Sequence, residues 1–235
     1  MIRRPPRSTQ GVSSAASDVY KRQVQDHKRA YEGDTGPNTG GMGTYSDSDH
    51  SLPFLEKSHI LAAQKINQMT ANALRDKFEE GYKGILYGGF IATKDGVKVI
   101  EYNARFGDPE AMNVLSILET DLIDICSAII NEELNTIDIR FNNSATVCKY
   151  AVPEGYPDDP IKNKEIDVED VTDTEKLFYA SVELKNDKLF EMGSRTVAVV
   201  GAGDSIWEAE EIAEKEVSKP KEQKVETKKE DDIPF

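Results

Sequence analysis

A β-hairpin signal near the middle of the chain constrains its fold more than any other feature. Residues 85–93 are apolar and aromatic, Lys94-Asp95-Gly96 is a typical turn, and residues 97–103 form the predicted return strand. Helical patterns flank this hairpin on both sides. Hairpin strands with helices between them predict an α+β fold.

Polar side chains cluster at the end of the return strand. Residues two apart in a strand point to the same side, so Val97 and Val99 are expected to be buried on one face. Glu101, Asn103 and Arg105 continue that face where the strand ends. A carboxylate and an amide oxygen can converge on Mg²⁺, which takes few protein ligands, and a guanidinium can bind a phosphoryl oxygen. An ion pair between Glu101 and Arg105 at a sheet edge is the alternative.

The second candidate is a glycine-rich stretch, GDTGPNTGGMG, at residues 33–43. Its glycines free the backbone for close approach, and consecutive amides in such a loop can bind an anion. It lacks the Lys-Ser/Thr ending of a Walker loop. A surface loop is the alternative interpretation, and the charged residues before it, Asp26, Lys28 and Arg29, could equally form a solvated turn.

Periodicity and turn residues predict the remaining elements. Residues 26–55 are expected to be loop-like. Asp108 is the predicted cap of a helix whose first position is Pro109, and a second start at Thr120-Asp121 is expected to split that helix. Further helices are predicted at residues 56–80 and 205–217, and strands at 145–152, 177–184 and 196–200.

Composition excludes several classes of protein. The formal net charge of −14 disfavours a protein that coats nucleic acid, and no apolar run is long enough to span a bilayer. Two cysteines are too few for a disulfide framework or a thiolate metal cage. Cys126 and Cys148 both have apolar neighbours, so we expect buried free thiols in a reducing compartment, which favours a cytoplasmic protein.

The two ends differ from the middle of the chain. Residues 1–23 are basic, rich in Ser and Pro, and without apolar periodicity, which predicts a non-native or disordered leader, with a transit peptide as the alternative. Residues 218–235 are expected to be a disordered charged tail. The last five, DDIPF (residues 231–235), resemble the acidic tip with which bacterial single-stranded DNA-binding proteins recruit partners, and are a weak candidate for protein docking.

Three stretches taken together resemble the phosphoribosylamine–glycine ligases, the glycinamide ribonucleotide synthetases of the ATP-grasp family. The stretches are QDHKR (residues 25–29), GDTGPNTGGMG (33–43) and VIEYNARFGDPEAMN (99–113). Their order and spacing match, and VAVVGAGDSIWEAEEIAEK (197–215) is similar to the small C-terminal domain of that family. The resemblance implies the second lobe of an ATP-grasp domain at residues 24–140, followed by a small, β-rich C-terminal ligase domain at 141–217.

The resemblance also implies a reaction in purine biosynthesis. ATP would phosphorylate glycine, and the amine of 5-phosphoribosylamine would displace phosphate from glycyl phosphate. Glu101 and Asn103 match the family's ligands for Mg²⁺ or Mn²⁺, and Arg105 would stabilise the transferred phosphoryl group. The residues implied in substrate binding are Asp26, Lys28, Arg29, Asn38, Thr39, Gly40 and Gly41.

The sequence departs from this family ahead of QDHKR. The family carries an N-terminal domain and a first ATP-grasp lobe there, so the resemblance implies that this chain alone binds ATP poorly and is catalytically impaired. Two other functions stay open. One is an ATP-grasp ligase for another carboxylate and amine, and the other is a non-catalytic binding module that docks through residues 231–235.

Overall fold

The computed structural model describes residues 22–78 and 81–222, and the predicted docking tip lies outside them. The fold is α+β, as predicted. Its helices are α1 (Lys57–Lys77), α2 (Glu110–Leu115), α3 (Leu122–Ile130) and α4 (Ile206–Val217). Its strands are β1 (Gln25–Tyr31), β2 (Thr35–Ser46), β3 (Tyr87–Thr93), β4 (Gly96–Asn103), β5 (Ala145–Ala151), β6 (Glu165–Asp167), β7 (Leu177–Tyr179), β8 (Val182–Lys185), β9 (Lys188–Glu191), β10 (Val197–Gly203) and β11 (Lys221–Glu222).

The strands form three sheets. A five-stranded sheet has the order β1-β2-β5-β10-β7, a four-stranded sheet has the order β11-β6-β9-β8, and β3 pairs with β4. In the large sheet β2 pairs antiparallel with β5, from Gly43 opposite Lys149 to Ser46 opposite Thr146. One sheet therefore crosses the boundary that the sequence predicts at residues 140 and 141.

The central hairpin forms as predicted, but with an irregularity. The β3–β4 register shifts between Gly89 and Phe90, and this bulge disturbs the alternation of side chains along β4. The Tyr102 hydroxyl lies 2.8 Å from the Asn67 side chain of α1, so α1 covers one face of the hairpin. The expectation that Val97 and Val99 are buried is wrong, because Val97 is half-buried and Val99 is 39% exposed.

The expected loop at residues 26–55 is also wrong in part. Residues 25–46 form the β1–β2 hairpin, and its strands pair irregularly. Arg29 is paired with Asn38, and His27 is paired with Gly43. Two residues along β1 therefore correspond to five along β2. The extra residues of β2 form a protrusion, which we call the glycine bulge (residues 39–42). The glycines of residues 33–43 led to the prediction of a loop. In the structure they allow β2 to stay paired while it includes this irregular segment.

The helix starts are correct with one exception. The Asp121 side chain accepts a hydrogen bond from the Ile123 amide and caps α3, so the predicted split is confirmed. Pro109, rather than Asp108, occupies the cap position of α2, and no side chain caps that helix. The Asp108 carboxylate instead contacts Arg195 and Tyr150, which lie far away in sequence.

Several boundaries of the fold differ from the sequence prediction. The predicted strand at residues 177–184 is two strands, β7 and β8, because they belong to different sheets. Arg22 and Gln23, which fall in the predicted leader, are buried. The predicted tail begins with β11, which pairs with β6. Strands this short contain too few residues to show the alternation of apolar and polar side chains from which strands are predicted.

The two cysteines have different environments. Cys148 is buried on β5, as expected, but Cys126 is exposed on α3, which corrects the expectation that both are buried. Cys126 follows Ile125, which packs in the core, and is turned by about 100° from it around the helix axis, out of the core. Across the described ranges, no helix has the length and apolar character that crossing a bilayer requires.

The C-terminal core depends on close packing between β10 and α4. A Cβ atom added to Gly201 would lie 2.0 Å from the Ala209 carbonyl oxygen and 2.7 Å from the Ala213 amide nitrogen. Ala209 and Ala213 are fully buried on the helix side of this contact. Glycine is therefore needed at position 201 for the close packing of β10 against α4.

This contact gives a stability prediction. Gly201→Ala is expected to lower the free energy of unfolding by roughly 3 kcal/mol or more, because the helix backbone must move to admit the methyl group. Denaturant unfolding measures the change. Gly89→Ala is the control, since an added Cβ there meets its nearest atom at 3.6 Å. Equal effects of the two substitutions would contradict this account.

Candidate active site

Glu101 and Asn103 lie side by side at the end of β4. The Asn103 amide nitrogen is 3.2 Å from Glu101 Oε1, so the two side chains are on the same face, as the strand spacing predicts. Glu101 is exposed and Asn103 is half-buried. Both side chains are therefore accessible to a ligand at the protein surface.

Arg105 lies just beyond β4 and is exposed. Its guanidinium donates a 2.8 Å hydrogen bond to the Phe106 carbonyl oxygen. Among the described residues no ion pair joins Arg105 to Glu101, so the alternative of an edge ion pair is not supported. The guanidinium is free to contact an anion near the end of the strand.

Tyr87 connects this strand end to a buried acidic cluster. Tyr87 is opposite Asn103 in the β3–β4 pair, and directly opposed residues share a face. The Tyr87 hydroxyl donates a 2.7 Å hydrogen bond to Glu110 Oε1 at the start of α2. The hairpin end and the first turn of α2 are therefore held together by a buried contact.

Asp26 is the central residue of the buried cluster and is only 3% exposed. Its Oδ2 pairs with the Lys28 ammonium at 3.3 Å, but its Oδ1 has no hydrogen-bond partner among residues 22–78 and 81–222. Burial and the negative charge of Glu110 raise the pKa of Asp26 to about 7, against the partial compensation of Lys28 and Arg195. A buried carboxylate with a free oxygen is suited to an ammonium group.

The glycine bulge covers Asp26. Gly41 has φ of +119°, and an added Cβ would lie 2.6 Å from Pro109 Cδ and 2.9 Å from Asp26 Oδ1. The Thr39 hydroxyl donates to the Lys28 carbonyl oxygen at 3.0 Å and accepts from the Gly41 amide at 3.0 Å. These contacts bring Asp26, Lys28, Thr39 and Gly41 together, as the sequence suggested.

Two predicted site residues lie elsewhere on the hairpin. Arg29 donates a 2.7 Å hydrogen bond to the Gly36 carbonyl oxygen, which stabilises the turn between β1 and β2. Asn38 is opposite Arg29 in the strand register. The structure therefore gives Arg29 a structural contact, away from the buried carboxylate.

Arg195 is the principal site residue that the sequence did not reveal. Its Nη1 donates to the carbonyl oxygens of Gly40 and Gly41 at 3.2 and 3.1 Å. Its Nη2 pairs with Asp108 Oδ2 at 3.1 Å, and the Tyr150 hydroxyl donates to Asp108 Oδ1 at 2.7 Å. Arg195 lies between a turn and an apolar strand, where an isolated cation usually faces solvent, so no local pattern identified it.

The donor set at the end of β4 fits a hard cation. Glu101 supplies a carboxylate, and Asn103 supplies an amide oxygen once the amide turns away from Glu101. No group of three or more His, Cys, Asp or Glu side chains within residues 22–78 and 81–222 could hold a metal ion. A metal at Glu101 and Asn103 would therefore take its other ligands from substrate phosphates and water.

Comparisons with known proteins agree with this geometry. Residues 8–111 match the family model described as "Phosphoribosylglycinamide synthetase, ATP-grasp (A) domain", and residues 146–231 match the model of the C domain of the same synthetase. The first match defines the class, since both hairpins and the residues Glu101 and Asn103 lie in the segment that matches an ATP-grasp domain. The two matches together cover most of the chain, which belongs to the phosphoribosylglycinamide synthetase family.

Individual relatives support this assignment. The chain is 52% identical over 205 residues to the phosphoribosylamine–glycine ligase of Methanosarcina barkeri, covering 87% of this chain and 47% of the relative. It is 56% identical over 191 residues to the ligase of Methanococcoides burtonii, covering 81% and 44%. The crystal structure of the ligase from Thermotoga maritima matches with a TM-score of 0.75 and 27% identity, covering 92% and 53%. The chain thus spans about half the length of these relatives.

Asp26 gives a prediction about pH and stability. Its folded-state pKa of about 7 exceeds the ordinary value of 3.8, so the folded state holds an extra proton between these values. The contribution of Asp26 to stability is therefore present below about pH 4 and is lost as the pH rises through about 7. Asp26→Asn removes this dependence.

Unfolding free energies measured from pH 5 to pH 8 test the prediction. Relative to wild type, Asp26→Asn should gain roughly 2 kcal/mol over this range. Asp138→Asn is the control, because the Asp138 side chain is exposed beside Arg140. Parallel pH profiles for wild type and Asp26→Asn would refute the raised pKa.

Proposed function

We propose that this chain takes part in the ATP-dependent joining of glycine to 5-phosphoribosylamine, giving glycinamide ribonucleotide in purine biosynthesis. The γ-phosphoryl group of ATP passes to a glycine carboxylate oxygen, which releases ADP and forms glycyl phosphate. The amine of 5-phosphoribosylamine then attacks the acyl carbon and loses a proton as phosphate leaves. A cytoplasmic location, where these metabolites occur, is part of the proposal.

The observation that carries the proposal is the pairing of Glu101 with Asn103 at the end of β4, within a chain of the synthetase family. Phosphoryl transfer needs a hard cation between phosphate oxygens, and these two side chains offer it oxygen ligands. Mg²⁺ or Mn²⁺ bound there would offset the charge that develops on the transferred group. Exposed Arg105, two residues further on, would contact the same group from the protein side.

The buried side of the site is assigned to the amino substrate. Asp26 Oδ1 has no partner within the part of the chain that the structure describes. The Asp26 carboxylate would bind the glycine ammonium group and orient the glycine carboxylate for phosphorylation. The glycine bulge over Asp26 would shield glycyl phosphate from water. Lys28, with a half-exposed side chain, would favour a substrate phosphate near this bulge. Arg29 and Asn38 would keep the hairpin in the shape that presents these residues.

Metal binding offers a test that needs no turnover. Glu101→Gln should weaken Mn²⁺ binding in the presence of ATP by at least about tenfold, because the variant loses the charged ligand. Electron paramagnetic resonance of free Mn²⁺ measures the affinity. Glu119→Gln, another exposed glutamate beside an arginine, is the matched control and should bind like wild type. Unchanged affinity in Glu101→Gln would remove Glu101 from the metal site.

Transfer of labelled glycine tests the reaction itself. Product should form only when ATP, Mg²⁺ and 5-phosphoribosylamine are all present, and Asp26→Asn should reduce its formation by about a hundredfold or more. A panel of other amino acids serves as the comparison. Greater phosphate release with another amino acid would favour a different carboxylate–amine ligase.

A further inference from the structure

We propose that Arg195 is a positioning residue for the amino substrate, because it fixes the glycine bulge over Asp26. The inference rests on the proposed function for the identity of the substrate, but its geometric part is independent. Arg195 belongs to the segment just before β10, more than 150 positions away from the bulge it contacts. It therefore links the C-terminal domain to the substrate side of the ATP-grasp domain.

The contacts of Arg195 require a forked cation. One nitrogen, Nη1, donates to the Gly40 and Gly41 carbonyl oxygens, while Nη2 reaches Asp108 Oδ2. These three acceptors belong to two separate segments, β2 and the connection between β4 and α2. A guanidinium can reach them together because its donors lie in a fixed plane, whereas a lysine ammonium is a single point.

Arg195 is itself held in place. Its guanidinium lies over the Tyr150 ring, 4.6 Å from the ring centroid, and the Tyr150 hydroxyl binds Asp108. The side chain of Arg195 is only 15% exposed. The Tyr150 ring, the Asp108 carboxylate and the Arg195 guanidinium thus hold one another in place. Little side-chain entropy is therefore lost when Arg195 binds the glycine bulge.

The bulge position controls access to Asp26. Gly41 lies against both Asp26 Oδ1 and Pro109, so a shift of the two carbonyls held by Arg195 would move the glycine bulge relative to Asp26. The positive charge of Arg195 also favours the ionised form of Asp26. Loss of Arg195 therefore changes both the position of the glycine bulge over Asp26 and the ionisation of the Asp26 carboxylate, which is assigned to the substrate ammonium.

Hydrogen exchange of the 235-residue chain tests the geometric part. In Arg195→Met, amide exchange within residues 39–42 should rise by about tenfold or more, because charge-assisted hydrogen bonds are lost, while exchange in β10 stays near wild type. Arg195→Lys should show a similar local rise, since it keeps the charge and loses the fork. Lys149→Met is the matched control, because the Lys149 side chain is also partly buried and its ion pairs are with Glu210 and Glu214 of α4.

Ligand binding tests the positioning role. Glycine affinity should fall by about tenfold in both Arg195 variants, while Mn²⁺ affinity with ATP stays unchanged, a split that general destabilisation would not give. Wild-type exchange of the bulge in both variants, or a uniform rise throughout β5 and β10, would overturn the proposal. Failure of the proposed function has a different signature, which is unchanged glycine affinity in Asp26→Asn despite locally increased exchange in the Arg195 variants.

Discussion

The pairing of β2 with β5 is the interaction on which the site depends. β2 belongs to the ATP-grasp segment and β5 to the C-terminal segment, and the buried Asn113 side chain of α2 closes the junction between them. Its amide nitrogen donates to the carbonyl oxygens of Thr44 and Thr146 at 3.3 and 3.2 Å, and its oxygen accepts from the Thr44 hydroxyl. The buried Asn113 side chain of α2 therefore hydrogen-bonds to both β2 and β5 and fixes the relative positions of the three elements. A shift of any one of them would leave buried polar groups unpaired.

This junction explains how distant residues meet at Asp26. The register of β2 against β5 sets where the glycine bulge leaves the sheet, and β10, the neighbour of β5, begins directly after Arg195. The same α2 that carries Asn113 begins at Pro109, which touches Gly41. The Asp26 carboxylate is thus enclosed by parts of both segments, and its raised pKa follows from that enclosure.

Local chemistry made part of this structure predictable. The β3–β4 hairpin and the start of α3 depend on near neighbours, so turn and cap residues predicted them. The common face of Glu101 and Asn103 follows from strand alternation. Residues 25–46 were missed because their glycines indicate turns, while the partner strand β5 that makes them a sheet begins a hundred residues later. Arg195 and Asp108 were missed for the same reason, since their contacts are entirely long-range.

The two halves of the candidate site differ in their exposure to solvent. The pair Glu101 and Asn103 is open to solvent, where a hydrated metal and phosphates can enter, whereas Asp26 lies under the glycine bulge at low polarity. A short connection, from Asn103 through Arg105 to Asp108, leads from this pair to Pro109, which touches Gly41 over Asp26. Because Asp108 is bound to Arg195, that connection is anchored at its far end by the C-terminal domain. The C-terminal domain therefore constrains the position of Asp26 relative to Glu101 and Asn103, because it holds the far end of that connection.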